Sequence, residues 1–247
     1  CSENIAFYNS MLLVRCALLG GEHLPSLLKE TDVHLEAMHR FGNNLSVPFV
    51  SAYRETISTL IDKGEHTANN SFNVDMDNEL YAQRHNETVW TNKMLQNFWL
   101  GYATRCHHFA TKALDMKPSI GSHNRLVILF YATLNSFRGI KNNNGSGSQF
   151  HKMWPLYKEA ITLLRTAMEI SPEIYNSNIY LLEAELCSFE KKNQLAKEKY
   201  DSSITSSRYI HEKGLACEQA GLHYQKISDR SEALKYFQRA SKYYMQW

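Results

Sequence analysis

The sequence predicts an all-α protein built as a helical-repeat solenoid of about eleven helices, and two observations lead to this fold class. Apolar residues recur at helical spacing in almost every periodic segment, and strand-like alternation never persists. One helix-pair pattern also occurs twice near the end of the chain, at an offset of 37 residues from Ala184 to Gly221. A repeat length in the thirties, with small and aromatic residues at the packing positions, is typical of helical solenoids.

The two copies of this pattern share small, aromatic and small residues at the same intervals. The first copy contains Ala184, Cys187, Ala196, Tyr200 and Ser203, and the second contains Gly221, Tyr224, Ala233, Phe237 and Ala240. A small residue lets a neighbouring helix come close, and the aromatic ring fills the space beside it.

Composition excludes several classes of partner. The formal net charge of +2 gives no electrostatic reason to expect nucleic acid or an anionic membrane, and the longest apolar runs are too short to span a bilayer. Five widely spaced cysteines without a C-x-x-C motif indicate reduced thiols in a cytoplasmic protein. We expect no cofactor and no metal.

The first 62 residues predict three helices that do not follow the repeat pattern. Pro25 and Pro48 suit the first turns of the second and third helices, and Gly20 with Gly21 should end the first. The predicted core face of the first helix carries Ile5, Tyr8, Leu12, Cys16 and Leu19.

The middle of the chain predicts degenerate repeats between two irregular segments. Residues 62–79 lack any period and predict a long loop, and 141–149 (KNNNGSGSQ) predict a flexible insert. Residues 86–138 predict three helices, of which the first two could form one long kinked helix because 101–105 contain no strong breaker.

The clearest repeats lie in residues 152–247. One helix is followed by two matched pairs, at about 174–190 with 193–207 and 210–226 with 229–246. Asp229 is placed to cap the last helix. We interpret the whole of 1–247 as one repeat domain, and as a fragment of a longer chain because it begins at Cys1 and not at Met.

The spacing of Gly221, Tyr224, Ala233, Phe237 and Ala240 resembles the tetratricopeptide-repeat signature, loosely extended over residues 104–247. The family has a right-handed solenoid fold. The stretch 211–247 also resembles the end of the helical region of multidomain signalling kinases, which combine a serine/threonine-kinase-like module, a predicted ATPase, GAF and histidine-kinase modules. This resemblance implies a non-catalytic scaffold that makes protein contacts within a signal-transduction kinase. The alternative is a stand-alone adaptor that binds a peptide or helix of a partner.

The tetratricopeptide resemblance also implies a set of partner-binding residues. In such arrays the first helix of each pair lines a concave groove, and the positions away from packing face the ligand. Those positions here hold Leu181, Glu185, Phe189, Glu218, Leu222 and Gln225.

Two patterns could support other chemistry. Cys106, His107 and His108 are the only dense cluster of metal-type ligands, but adjacent helical residues diverge by about 100°, so the sequence favours Cys106 in the core and both histidines at the edge. A helical enzyme with its active site in the 62–79 loop, using His66, Asp75 or Asp77, remains a third hypothesis.

Overall fold

The structure is a computed structural model that describes residues 2–43, 46–62, 79–116, 123–142 and 147–247, and within them it contains eleven helices and no strand. The helices are α1 (Ser2–Leu19), α2 (Leu24–Arg40), α3 (Val47–Ile61), α4 (Glu79–Trp99), α5 (Ala103–Leu114), α6 (His123–Asn142), α7 (Gly147–Ile170), α8 (Pro172–Phe189), α9 (Asn193–Ser206), α10 (Ile210–Lys226) and α11 (Arg230–Tyr244). The prediction of an all-α fold is confirmed. None of these helices is long and apolar enough to cross a bilayer.

The two predicted irregular segments have different outcomes. The loop predicted at 62–79, with its His66, Asp75 and Asp77, falls almost wholly outside the described residues. The insert predicted at 141–149 is helical at both ends, because α6 continues to Asn142 and α7 begins at Gly147.

A glycine separates α4 from α5, so the alternative of one long kinked helix is wrong. Gly101 has a φ of 77°, and the next amide, of Tyr102, donates to the carbonyl of Asn97 at 2.9 Å. This left-handed residue ends α4 because it turns the chain away while satisfying the last carbonyls. The sequence signal was therefore a single glycine at the helix end.

The buried face of α1 is not the predicted one. Ile5 and Tyr8 are 63% and 54% exposed, whereas Phe7, Val14 and Leu18 are buried. Both sides of α1 carry apolar residues, so periodicity alone could not choose between them.

The described helices group into two compact units, Cys1–Ile128 and Leu129–Trp247. In the first unit, α1, α2 and α3 pack together, α3 also contacts α4, and α4 pairs with α5. Its core includes Met38, Val50 and Ile57, all fully buried. In the second unit, α7 contacts α8, α8 pairs with α9, and α10 pairs with α11 while contacting both α8 and α9.

The two helix pairs of the second unit end their first helices with the same turn. Lys191 and Ser228, 37 residues apart in sequence, have φ values of 59° and 65°. The amide that follows each donates at 2.9 Å, from Lys192 to the carbonyl of Cys187 and from Asp229 to that of Tyr224. The offset found in the side-chain pattern is thus also an offset in the backbone.

Side-chain packing in these pairs follows the small–aromatic pattern. The alanines of the signature are buried, and Tyr200 has no exposed surface. A Cβ atom on Gly221 would lie 2.7 Å from Cδ1 of Phe237, so the ring packs directly against the backbone of α10. Asp229 caps α11 by accepting from the amide of Glu232 at 3.1 Å, as predicted.

Candidate functional site

The six predicted groove residues lie in two different environments. Leu181 is 3% exposed and Glu185 has no exposed surface. Both are packing positions of α8, so the expectation that they face a ligand needs correction. Phe189, Glu218 and Leu222 are partly exposed, and Gln225 is exposed. For these four, partner binding stays a prediction.

Glu185 is a buried carboxylate that joins the two helices of its pair. The Tyr200 hydroxyl on α9 donates to Glu185 Oε1 on α8 at 2.6 Å. Burial, together with this nearby carboxylate, raises the pKa of the Tyr200 hydroxyl well above its usual value. The hydroxyl therefore stays protonated and available as a donor to the carboxylate.

Hydrogen bonds between residues 35 positions apart join the pair α8–α9 to the pair α10–α11 at three places. Ser188 Oγ and His223 Nδ1 lie 2.8 Å apart. The Ser177 hydroxyl donates to Glu212 Oε2 at 3.2 Å, and the Tyr236 hydroxyl donates to Asp201 Oδ1 at 2.6 Å. Because this separation is the same at all three places, α8 meets α10 at both of its ends, and α9 meets α11, in one register.

Two ionisable groups at the start of α10 are strongly affected by burial. Desolvation raises the pKa of Glu212 to about 7, although the hydrogen bonds from Ser177 and Asn178 favour its charged form. Desolvation lowers the pKa of His211 to about 3. The His211 ring stacks on Trp247, with 5.0 Å between the ring centroids. This end of α10 therefore favours an uncharged histidine and a carboxyl group that titrates near neutral pH.

Glu218 is the centre of a polar cluster that reaches α6. Arg138 Nη2 donates to Glu218 Oε1 at 3.0 Å, and the Tyr244 hydroxyl donates to Glu218 Oε2 at 2.7 Å. In the amide orientation that satisfies both groups, the Gln219 oxygen accepts from Arg138 Nη2 and Nε at 2.7 and 2.8 Å. Glu218 is thus held by its own chain, which reduces its availability to a partner.

Sequence reasoning missed Arg138 and Gly214. Arg138 is 80 residues from Glu218, and nothing in a single sequence pairs them. Gly214 did leave a signal, since it lies seven residues before Gly221 on the same helix face. A Cβ atom on Gly214 would lie 2.5 Å from Cε1 of Tyr244, so this glycine repeats the close approach seen at Gly221.

The accessible part of the predicted site lies at the C-terminal turns of α8 and α10. The Ser188–His223 contact brings these turns together. Phe189 lies on α8, and Leu222 and Gln225 lie on α10. We call Phe189, Leu222 and Gln225 the helix-end surface. It combines two partly exposed apolar side chains with one exposed amide.

The metal-type cluster has the arrangement that the sequence favours, with the cysteine in the core and both histidines at the edge. Cys106 is fully buried, and both His107 and His108 are exposed. Across the described part of the chain, no group of three His, Cys, Asp or Glu side chains is placed to hold a metal ion. The four described cysteines are free thiols.

Comparisons with protein-family models, with curated proteins and with solved structures gave no match.

Proposed function

We propose that the chain is a non-catalytic helical-repeat scaffold, the regulatory segment of a multidomain signal-transduction kinase. It would hold other modules of the same chain, or a partner protein, through surfaces of its stacked helix pairs. The kind of protein is inferred from the sequence resemblance of 211–247. The surface that would make the contacts is inferred from the second unit.

The observation that carries the proposal is the packing of two equivalent helix pairs in one register. The pairs share a turn at Lys191 and Ser228, and their contacts recur at a separation of 35 residues. Stacked pairs of this kind form extended surfaces and contact neighbouring units, as repeat proteins do. The buried Glu185 and the partly buried Glu212 serve these joints between helices, which favours a structural role for both carboxylates.

The helix-end surface is the part of the second unit that fits a protein partner best. Leu222 and Phe189 present partly exposed apolar area, and Gln225 adds an amide that donates and accepts hydrogen bonds. We expect it to take an apolar helix or segment, whether from a neighbouring module or from another protein.

Two measurements test this function. The first is the full-length reading frame. Kinase-like or ATPase modules before this chain, with GAF and histidine-kinase modules after it, would support the proposal. A frame without them would overturn the kinase assignment and leave the stand-alone adaptor.

The second measurement is calorimetric binding of the purified neighbouring modules to this chain. Leu222→Glu should weaken binding about tenfold or more, because it replaces a partly exposed apolar side chain of this surface with a charge. Leu195→Glu is the matched control, since Leu195 is 40% exposed on α9 and outside the helix-end surface. Equal binding by both variants would exclude the helix-end surface.

A further inference from the structure

The first unit contains a buried guanidinium nitrogen that needs a partner. Arg15 on α1 is partly exposed, but its Nη2 atom is buried, and no group among the described residues accepts a hydrogen bond from it. The single carboxylate of α3, that of Glu55, pairs instead with Lys93 of α4. Because a charged donor that is removed from water without a partner is costly, this nitrogen indicates a place where an acceptor binds.

The Tyr53 hydroxyl of α3 lies within reach of the Arg15 charge and beside α4. Tyr53 is 5% exposed. Burial raises the pKa of its hydroxyl to about 12, while the Arg15 charge and hydrogen bonding with Asn92 and Thr88 act in the opposite direction. The hydroxyl is therefore protonated at neutral pH and can donate. Since α3 packs against both α1 and α4, the three helices bring a cation, a hydroxyl and an amide together.

Asn92 adds a buried acceptor whose identity is fixed by a hydrogen bond. Its Nδ2 donates to the carbonyl of Thr88 at 2.9 Å, so the other atom of the amide is Oδ1. Asn92 is 2% exposed, and its Oδ1 atom accepts no hydrogen bond from any described residue. A group that satisfies this oxygen must itself carry a hydrogen to donate. An unpartnered donor on Arg15 and an unpartnered acceptor on Asn92 thus lie near the same hydroxyl.

This combination of donor and acceptor restricts the ligand. A guanidinium group binds the oxygens of carboxylate, sulfate and phosphate ions. At a pH of about 7.5, carboxylate and sulfate ions carry no hydrogen, and a phosphate monoester has lost nearly all of its second proton, because that pKa is about 6. Inorganic phosphate still keeps a P–OH group under the same conditions. It is therefore the ion that can accept from the guanidinium of Arg15 and also donate to the amide oxygen of Asn92.

We propose that Arg15, Tyr53 and Asn92 form a binding site for the hydrogen phosphate ion. Arg15 Nη2 and the Tyr53 hydroxyl donate to phosphate oxygens, and Asn92 Oδ1 accepts from the P–OH group. The ion enters from the side on which Arg15 is partly exposed. The site lies in the first unit and uses none of the residues of the helix-end surface, so it goes beyond the scaffold function and stands or falls separately from it.

Calorimetric titration of the 247-residue chain with inorganic phosphate, at a pH of about 7.5 and constant ionic strength, tests the site. The parent should bind one phosphate ion per chain. Sulfate and methyl phosphate should bind about tenfold more weakly or worse, because neither can donate to Asn92 Oδ1 and a buried acceptor would stay unpaired. These two ions separate recognition of hydrogen phosphate from a general attraction of anions to Arg15.

Two variants and a matched control locate the ion. Arg15→Gln should weaken phosphate binding about tenfold or more, since it removes the charged donor, and Tyr53→Phe about fivefold, since it removes one neutral donor. Arg54→Gln is the control, because it removes the same charge from a residue next to Tyr53 whose side chain is 45% exposed and paired with Asp32. It should change the affinity by less than about twofold.

Circular dichroism melts check that each variant is folded, and Arg15→Lys, which keeps the charge but lacks Nη2, serves if Arg15→Gln does not fold. A parent that binds no phosphate at about 10 mM would overturn the proposal. Equal affinities of Arg15→Gln and Arg54→Gln would also overturn it, because the guanidinium of Arg15 would then make no contact with the ion. Sulfate that binds as tightly as phosphate would exclude Asn92 Oδ1 as an acceptor and with it the assignment to hydrogen phosphate.

Discussion

The helix pairs α8–α9 and α10–α11 have the same backbone and different side chains at equivalent positions. Both turn at a left-handed residue, Lys191 or Ser228, and the capping amide that follows donates at 2.9 Å in each. Yet where the first pair buries Glu185 against Tyr200, the second has Leu222 and Phe237 at the positions 37 residues on. A polar pair and an apolar pair thus fill the same place in one repeat.

The difference follows from what covers each pair. The first pair carries α10 on its outer side, where His223 lies against Ser188 and Tyr200. Glu185 is therefore fully enclosed and its carboxylate depends on internal donors, whereas Leu222 and Phe237 are partly exposed. An enclosed position tolerates a carboxylate only with hydrogen bonds, while a half-open one accepts apolar residues. Equivalence in sequence therefore does not imply equivalence in environment.

The joint between the two pairs gives the largest expected effect, through Glu212. Its pKa of about 7 in the folded protein lies above the ordinary 4.5, so the folded state holds the proton more tightly than the unfolded chain. Its contribution to stability is therefore complete below pH 4.5 and is lost as the pH rises to 7. Glu212→Gln keeps the uncharged form and should raise the free energy of unfolding by about 3 kcal/mol at pH 8, and by little below pH 4.5.

Urea unfolding of parent and variant at several pH values between 4.5 and 8 measures this difference. His211 acts in the opposite sense, because a pKa lowered to about 3 removes stability as the pH falls below 6.5, but it is common to both proteins. Glu173→Gln, at an exposed carboxyl near the start of α8, is the control. A difference between Glu212→Gln and parent that does not change with pH would refute this account of the joint.

The buried polar pair gives the next largest effect. Tyr200→Phe removes the hydroxyl that donates to the enclosed Glu185 carboxylate and should lower the free energy of unfolding by about 2 kcal/mol. Phe237→Tyr, the reverse change at the equivalent position, should alter it by less than about 0.5 kcal/mol, since that ring is partly exposed. Chemical denaturation of both variants makes the comparison.

A double variant sharpens the same comparison. Glu185→Leu with Tyr200→Phe copies the Leu222 and Phe237 pair into the first helix pair. It should recover most of the stability lost in Tyr200→Phe, because removing both partners of a buried polar contact is close to neutral. If the double variant loses as much as the two single variants together, Glu185 and Tyr200 are not coupled.

Substitutions at two helical glycines should have smaller effects on stability, of opposite sign, because only one of the two lies where a neighbouring side chain packs closely. Gly221→Ala should destabilise by about 1 kcal/mol, because the new Cβ meets the Phe237 ring at 2.7 Å. Gly139→Ala should stabilise by about 0.5–1 kcal/mol, since it lies within α6 and its Cβ meets nothing within 4 Å. Thermal unfolding of the two variants gives both signs, and a gain in stability at Gly221→Ala would contradict the packing.

Local pattern predicted the helices and the 37-residue offset, because small and aromatic residues at fixed spacing determine how a pair closes. It failed where the outcome depends on what covers a helix. Leu181 and Glu185 were assigned to a groove, and they are enclosed because α10 packs against α8 and α9. On α1 the predicted face, with Ile5 and Tyr8, and the buried face, with Phe7, Val14 and Leu18, are both apolar, so either could have been the core. Contacts between distant residues, such as Arg138 with Glu218, leave no mark in one sequence.

The smallest effect on stability concerns the side-chain N-cap, which the pair α10–α11 has and the pair α8–α9 lacks. Lys192 and Asp229 are equivalent N-cap residues with similar backbone angles, φ −84° and ψ 65° against φ −86° and ψ 82°, and only Asp229 accepts a hydrogen bond from its helix. Lys192→Asp should stabilise by about 0.5–1 kcal/mol, because the introduced carboxylate can accept from the Leu195 amide and complements the helix dipole. The ion pair lost with Glu190 is exposed and contributes little. Asp229→Ala should lose about 1 kcal/mol by the same mechanism. If thermal melts show the loss of stability in Asp229→Ala without the gain in Lys192→Asp, the shared turn does not determine the geometry in which α9 begins.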